Sequence, residues 1–154
     1  SWTSAEVKKR IIETSTPIAG LRKVSVSKGR VNAYNAFHDI VTPSDDPAES
    51  DWKTIDYSVE SAHPYPDNSN STFDVSAPGA KYVRVVFDKV DTEERYDTVT
   101  FETADGQVVD SVTGTKSGGY VTDWIKADHG VIRLKSDGSN SGFGFQVTKI
   151  QIVE

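Results

Sequence analysis

The chain of 154 residues contains no cysteine and no methionine. Without cysteine it has no disulfides, no zinc–thiolate or iron–sulfur sites and no thiol nucleophile. No apolar run approaches the ~20 residues that a membrane-spanning helix requires, so we expect no membrane partner. Because the sequence lacks methionine and Ser1-Trp2-Thr3 does not open a signal peptide, we expect a processed chain or a fragment.

An excess of basic residues is also missing. Seventeen Lys and Arg stand against 23 Asp and Glu, which gives a net charge of -6 and a pI of about 5.0. Nucleic-acid partners are therefore not expected, because phosphate binding depends on a basic surface. The 36% of hydrophobic residues are enough for a packed core.

Residues 1–40 show a helical pattern. Thr3-Ser4-Ala5-Glu6 is a capping box that predicts the start of a helix, and Ser15-Thr16-Pro17 predicts its end. A second short helix is predicted after Gly29. This pair is too small to bury its own apolar stripe, so we expect it either to pack on the β region or to have a natural partner that is missing from this chain. The stripe consists of Val7, Ile11, Val31, Tyr34 and Phe37.

From Trp52 onward the pattern has a period of two and frequent turn residues, including the hairpin signal Asp105-Gly106. It predicts a mainly β fold, a β-sandwich of jelly-roll type over residues 54–154. Residues 41–53, with Pro43 and Pro47, read as a linker. The predicted strands are Thr54–Glu60, Ser71–Ser76, Lys81–Val90, Asp97–Glu102, Gln107–Ser111, Tyr120–Ile125, Val131–Lys135 and Gly144–Ile152.

Two acidic segments, Thr92–Asp97 and Ser136–Asn140, follow predicted strands. Calcium takes about 6–8 oxygen ligands from carboxylates, carbonyls and water, and loops fixed to rigid strands supply such ligands. The pattern therefore indicates a calcium site, completed by oxygens of Ser139 and Asn140, by backbone carbonyls and by water. The alternative is that these acidic residues are solvated members of ordinary turns.

The three histidines, His38, His63 and His129, are far apart and show no metal-ligand spacing. No serine lies in a Gly-x-Ser-x-Gly setting, so we assign no catalytic residue and expect no organic cofactor. A carbohydrate-binding module is the other hypothesis. Its stacking platform would consist of Trp52, Tyr57, Tyr65, Tyr120 and Trp124.

Residues 1–37 resemble the C-terminal end of a subtilisin-family serine protease domain. The resemblance rests on Trp2–Lys8, on Ile12–Ser15 and above all on Gly29-Arg30-Val31-Asn32-Ala33 with the following helix. The family's nucleophile segment, of the type Gly-Thr-Ser-Met-Ala, is absent, as are the segments with its Asp and His. The resemblance thus implies a serine endopeptidase as the parent protein and a chain that is inactive alone.

Residues from about 60 to 154 resemble the CUB-like domains at the C-termini of secreted bacterial proteases. In calcium-binding CUB domains, one cation is held by an acidic residue before a Tyr-Asp pair, by the Asp of that pair and by an Asp after a later strand. The resemblance places these roles on Glu93, Asp97 and Asp137, with Glu94 as the alternative to Glu93. The matching segments are His63–Pro66, Pro78–Ala80, Val85–Phe87, Thr92-Glu93, Tyr96-Asp97, Ser136–Ser139 and Gly142–Phe145.

The order of the two resemblances predicts the C-terminal accessory region of a secreted subtilisin-like serine endopeptidase. Its calcium-binding β-sandwich would stabilise the protease or target it to a protein or polysaccharide substrate. The expected partner is the catalytic domain of the same protease. The alternative is a carbohydrate- or protein-binding module that has no direct role in proteolysis.

Overall fold

The structure of the chain is a computed structural model that describes residues 2–43 and 46–154. Two of the residues predicted as linker, Ser44 and Asp45, lie outside the described residues. The chain divides into two compact units, Ser1–Asp46 and Pro47–Glu154. None of the described helices is long and apolar enough to cross a membrane.

The first unit contains the two predicted helices. Helix α1 (Ser4–Glu13) begins at the predicted capping box, where the Thr3 hydroxyl accepts from the Glu6 amide at 3.3 Å and the Glu6 carboxylate accepts from the Thr3 amide at 2.7 Å. Helix α2 (Ala33–His38) is capped by Asn32, whose side-chain oxygen accepts from the Asn35 amide. A short ladder of β1 (Thr16–Pro17) and β2 (Gly29–Arg30) lies between them in sequence.

Polar contacts of Arg10 connect the two helices. Its Nε donates to the Ala36 carbonyl at 2.6 Å, and its Nη1 lies 2.8 Å from the Asp39 carboxylate. The guanidinium also stacks over the Trp2 ring, with 4.5 Å between the guanidinium carbon and the ring centroid. The helices are therefore joined by charge and hydrogen bonds, and neither of them contains a buried residue.

The apolar stripe of the first unit is exposed. Val31 is 60% exposed, Tyr34 66% and Phe37 83%. A groove of about 330 Å³ runs along this stripe and is lined mainly by apolar side chains. A stripe of this kind normally packs on a core, so the first unit has an apolar face that its own described residues do not cover.

The second unit is a sandwich of two four-stranded antiparallel sheets, one with the order β3-β10-β5-β8 and the other with the order β4-β9-β6-β7. This confirms the predicted mainly β fold. The strands are β3 (Lys53–Glu60), β4 (Asn70–Ser76), β5 (Tyr82–Asp91), β6 (Thr98–Thr103), β7 (Val108–Val112), β8 (Thr115–Val121), β9 (His129–Lys135) and β10 (Gly144–Val153).

The hydrophobic core lies between the two sheets. Phe145 on β10 packs edge-on against Phe73 and Phe87, with ring centroids 5.0 and 5.6 Å apart. The predicted alternating apolar residues on β5, β6 and β9 are all buried, although Val86 on β5 and Glu102 on β6, which lie between or beside them, are buried as well. Each such side chain contributes about 1.5–3 kcal/mol when fully buried. The alternating buried residues are Val83, Val85, Phe87, Val99, Phe101, Ile132 and Leu134.

One predicted strand is misplaced. Tyr120–Ile125 was expected to be a strand, but β8 runs over Thr115–Val121, and Ile125 makes an isolated bridge to Val83. β8 contains Gly118 and Gly119, both with positive φ. In the sequence alone, two such glycines favour the prediction of a loop. β8 tolerates them because it is an edge strand that pairs on one side alone, with β5.

The acidic segments lie at one end of the sandwich. Lys53 at the start of β3 pairs with Ile152 near the end of β10, and at the other end Glu60 pairs with Gln146. The loops that follow β3, β5 and β9 all emerge at this second end, because Asp91 pairs with Gly144 in one sheet and Lys135 pairs with Thr98 in the other. Both sheets therefore contribute loops to a common site.

We expect Gly144→Ala to destabilise the sandwich more than Gly106→Ala. Both glycines have φ near +90°, so alanine costs about 1–2 kcal/mol at either position. At Gly144 the new Cβ would also lie 2.0 Å from the Ser61 hydroxyl, whereas nothing lies within 4 Å at Gly106. Overpacking of this kind adds about 1–3 kcal/mol. Urea unfolding of both variants measures the difference, and equal losses would contradict the close approach of β10 to Ser61.

Candidate metal centre

The predicted metal ligands come from loops that leave different sheets. Glu93 and Asp97 lie in the loop between β5 and β6, which connects the two sheets, and Asp137 lies in the loop after β9. One oxygen from each of the three carboxylates lies within 4.8 Å of the other two. Two oxygens bound to one calcium ion at 2.3–2.6 Å can be separated by up to about 5 Å, so this spacing fits a shared cation.

Asp97 is the buried member of the cluster, with no exposed surface. Its Oδ1 accepts from the Asp137 amide at 2.9 Å, and its Oδ2 accepts from the Tyr65 hydroxyl at 2.5 Å. Its own amide donates to the Glu93 carbonyl at 3.1 Å, which closes a tight turn between two of the ligands. Asp97 thus fixes the positions of both other carboxylates through the backbone.

Glu93 contains a carboxylate oxygen without a partner. Its Oε1 accepts from the Asn140 side chain at 2.9 Å, but its Oε2 is buried and has no hydrogen-bond partner among the described residues. A buried acceptor that is not satisfied costs about 1–3 kcal/mol, and more when it is charged. A cation at the centre of the cluster would satisfy this atom. Glu94, the sequence alternative, is exposed and lies outside the cluster.

Asp137 is the exposed member of the cluster. Its Oδ1 accepts from the Ser139 amide at 3.0 Å, and its carbonyl accepts from the Asn68 amide at 2.5 Å. Asn140 has φ +58°, a left-handed conformation that turns its side chain back towards Glu93. The loop after β9 therefore supplies one carboxylate and a hydrogen bond to each of the other two ligands, from the Asp137 amide to Asp97 and from the Asn140 side chain to Glu93.

Tyr65 is a site residue that the sequence interpretation assigned to another role. It was expected on an exposed aromatic platform, but it is 1% exposed and belongs to the core. Its hydroxyl donates to Asp97 and accepts from the Glu93 amide at 3.2 Å. Burial, and to a smaller extent the hydrogen bond to the Asp97 carboxylate, raises the pKa of Tyr65. The hydroxyl therefore stays protonated and acts as a donor. The available signal was its place in the segment His63–Pro66.

The other four residues of the predicted platform are all partly buried and engaged. Arg84 stacks over the Trp52 ring at 4.2 Å, and Trp124 packs edge-on against Tyr82. The hydroxyl of Tyr57 donates to the Asp74 carbonyl, and that of Tyr120 donates to the Asp110 carboxylate. These contacts assign the aromatic side chains to packing within the sandwich.

None of the three histidines is a member of the carboxylate cluster of the described residues. His38 is exposed and packs on Tyr34 in the first unit. His63 stacks on Phe143 with 3.7 Å between ring centroids, and its Nδ1 lies 2.6 Å from the Phe143 carbonyl. His129 opens β9, opposite Ser76. The donor set of the cluster therefore consists of oxygen atoms.

No protein-family profile matches the chain. Over 101 residues, which cover 62% of this chain, it is 37% identical to the E3 ubiquitin-protein ligase HERC2 of Homo sapiens and to the same protein of Mus musculus. The chain spans about 2% of the length of these curated relatives. The match therefore concerns one segment of a much larger protein.

Two solved structures that contain CUB domains match the chain. One is the CUB1-EGF-CUB2 region of human MASP-1/3, with a TM-score of 0.51 and 23% identity over 68% of this chain and 42% of that chain. The other is the MASP-1 CUB2 domain bound to Ca2+, with a TM-score of 0.43 and 20% identity over 68% of this chain and 93% of that chain. The likeness to the first structure shows that the second unit has a CUB-like fold.

We expect Tyr65→Phe to lower the free energy of unfolding by about 1–3 kcal/mol, because it leaves the buried Asp97 carboxylate without one donor. Tyr57→Phe is the matched control. Its hydroxyl also bridges two groups, the Asp74 carbonyl and the Ser76 amide, but both of these are neutral. We expect a loss of about 0.5–1.5 kcal/mol there. Chemical unfolding compares the two, and a larger loss for Tyr57→Phe would refute the central role of Tyr65.

Proposed function

We propose that the sandwich binds one calcium ion through Glu93, Asp97 and Asp137. The observation that carries this proposal is the buried Glu93 Oε2, which has no partner among the described residues and lies in a cluster of three carboxylates. Three negative charges this close repel one another unless a cation neutralises them. The cluster thus has both the geometry and the unsatisfied charge that a cation site requires.

The donor chemistry favours calcium over other metals. The cluster offers only carboxylate oxygens, which suit hard cations and not the softer metals that prefer nitrogen or sulfur ligands. Magnesium demands near-ideal octahedral geometry and retains several waters, whereas calcium accepts irregular sets of ligands from flexible loops. A site assembled from two separate loops, with Asp137 exposed to solvent, matches calcium better.

The bound ion would join the two sheets at one end of the sandwich. It would add a further connection between loops that already share hydrogen bonds through Asp97 and Glu93. Since the ligands converge only in the folded state, binding stabilises that state by mass action, by about 2.7 kcal/mol at a calcium concentration 100 times the Kd. The role of the ion in this proposal is structural.

We further propose that the first unit docks on the catalytic domain of a secreted subtilisin-like serine endopeptidase, of which this chain is the C-terminal accessory region. Two observations support this proposal. The sequence of residues 1–37 resembles the end of such a domain, and the stripe that includes Val31 and Phe37 is exposed along an apolar groove. The catalytic serine, histidine and aspartate would belong to the parent protein.

The second candidate function is that of a protein-binding module in a parent protein that is not a protease. The identity of 37% to a segment of HERC2, a ubiquitin ligase by name, supports it, because this segment is part of a protein that is not described as a protease. In this alternative the calcium site stays as proposed. The exposed face of the first unit would then bind another protein partner.

We expect millimolar calcium to raise the melting temperature of the chain, and we expect Glu93→Gln to remove most of this rise. In excess chelator Glu93→Gln should melt at or above the temperature of the unsubstituted chain, because a neutral amide replaces the carboxylate whose buried Oε2 has no partner among the described residues. Glu94→Gln is the matched control. The Glu94 carboxylate is adjacent in sequence to Glu93, but it is exposed and lies outside the cluster. It should keep the full response in differential scanning calorimetry.

The calcium site would be refuted if calcium does not change the melting temperature of the unsubstituted chain. A response that Glu94→Gln removes and Glu93→Gln retains would refute the assigned ligand. Magnesium at the same concentration tests the choice of metal, and an equal response would argue against calcium selectivity.

Docking of the first unit predicts that Phe37→Asp weakens binding to the parent protein's catalytic domain produced without these residues. An anchor residue in an apolar contact is typically worth at least about 2 kcal/mol, or about thirtyfold in Kd. Val26→Asp is the control, because Val26 is equally exposed, at 84%, but lies in the loop before β2. Calorimetric titration compares the variants. Equal affinities of the unsubstituted chain and the Phe37→Asp chain for the catalytic domain would contradict this docking face.

A further inference from the structure

The sequence contains two Asp-Gly pairs, Asp105-Gly106 and Asp137-Gly138. In such pairs the glycine nitrogen can attack the aspartate side chain, because no side chain on the following residue hinders the approach. Whether the attack occurs depends on how firmly the carboxylate and the glycine nitrogen are held. The two pairs differ sharply in this respect.

In Asp105-Gly106, hydrogen bonds hold both groups that would react, the Asp105 carboxylate and the Gly106 nitrogen. One carboxylate oxygen of Asp105 accepts from the Thr103 hydroxyl at 2.5 Å, and the other accepts from the Gln107 side chain at 3.0 Å. The Gly106 amide donates to the Thr103 carbonyl at 2.9 Å. Both the carboxylate and the nitrogen are therefore occupied in the folded chain.

Asp137-Gly138 is held much less firmly. Both residues are exposed, and the Asp137 carboxylate accepts one hydrogen bond, from the Ser139 amide two residues on. This contact places the carboxylate across the Gly138 peptide. Among the described residues, the Gly138 amide donates no backbone hydrogen bond. The nearest group to Gly138 is the Asn68 side chain, at 3.6 Å from where a Cβ would lie, so the peptide is not enclosed.

We propose that Asp137 is a site of spontaneous isomerisation to isoaspartate and that the bound cation controls this reaction. The inference rests on the proposed calcium site. With the ion bound, the Asp137 carboxylate would be held by the cation that it shares with Glu93 and Asp97, and it would not be free to reach the Gly138 nitrogen. Without the ion the three like charges repel one another, and Asp137 is the exposed member that can turn away.

The reaction needs no reagent other than water. The Gly138 nitrogen bonds to the side-chain carboxyl carbon of Asp137, and one water leaves, formed from a carboxyl oxygen, the amide proton and a second proton. The product is a five-membered succinimide. Water then opens the ring at either carbonyl, and opening at the former backbone carbonyl gives isoaspartate, in which the chain runs through the side-chain carbon. Atoms balance, since the water lost is regained.

Isomerisation would remove the metal site permanently. It adds a methylene group to the backbone at position 137 and moves the free carboxylate to a different carbon, so the ligand no longer faces Glu93. It also shifts the Asp137 carbonyl that accepts from Asn68. A molecule that loses its calcium for long enough would thus become unable to bind calcium again.

The test is to age the whole chain at neutral pH and 37 °C in millimolar calcium and, separately, in excess chelator. Peptide mapping by mass spectrometry with fragmentation that separates the isomers then quantifies isoaspartate at positions 137 and 105. Calorimetric titration with calcium measures the remaining binding capacity of the same samples. Gly138→Ala is the matched variant, because a Cβ there meets only ordinary contacts and no positive φ.

We expect isoaspartate at position 137 to accumulate several-fold faster in chelator than in calcium, with no such difference at position 105. The loss of calcium capacity should match the isomerised fraction, and Gly138→Ala should slow both. If the fresh chain binds calcium but isoaspartate at 137 forms at equal rates in both conditions, the inference is overturned and the proposed function stands. If the fresh chain binds no calcium, the proposed function fails and this inference fails with it.

Discussion

The carboxylate of Asp97 is the constraint on which the structure of one end of the sandwich depends. It is fully buried, and its two oxygens accept from the Tyr65 hydroxyl and the Asp137 amide, which belong to two other loops. A buried charge is tolerated only when it is paired and hydrogen-bonded, so these loops must keep their positions whenever the chain is folded. The backbones that carry the other two carboxylates, Glu93 and Asp137, are thereby brought together, while the Asp137 side chain stays exposed.

The two units differ in how their structure is stabilised. The sandwich has a continuous core from both sheets, including Phe87, Phe101 and Phe145, each almost fully buried. Among its described residues the first unit has no buried hydrophobic side chain, and its two helices are connected through the polar contacts of Arg10. Ion pairs and hydrogen bonds at partly exposed positions contribute about 1 kcal/mol or less each. Most of the folding free energy of this chain therefore comes from the sandwich.

The sequence was sufficient for most of the fold because the period-two alternation on β5, β6 and β9 reports burial directly, and because the capping box at Thr3 is a local signal. It failed at β8, where Gly118 and Gly119 favour a loop locally but pairing with β5 overrides that preference. In the site, Glu93, Asp97 and Asp137 could be selected from spacing and resemblance. The contribution of Tyr65 could not, since its hydroxyl reaches Asp97 across 32 positions of sequence.

The antiparallel pairing of β3 with β10 places the first and last strands of the sandwich side by side. Lys53 pairs with Ile152, and the Lys53 ammonium lies 2.6 Å from the Glu154 carboxylate, at the end opposite the carboxylate loops. A domain whose two ends are adjacent can be inserted into a surface loop of a host protein without separating the flanking residues. The sandwich is thus suited to transfer between unrelated proteins, with its carboxylate loops projecting away from the point of attachment.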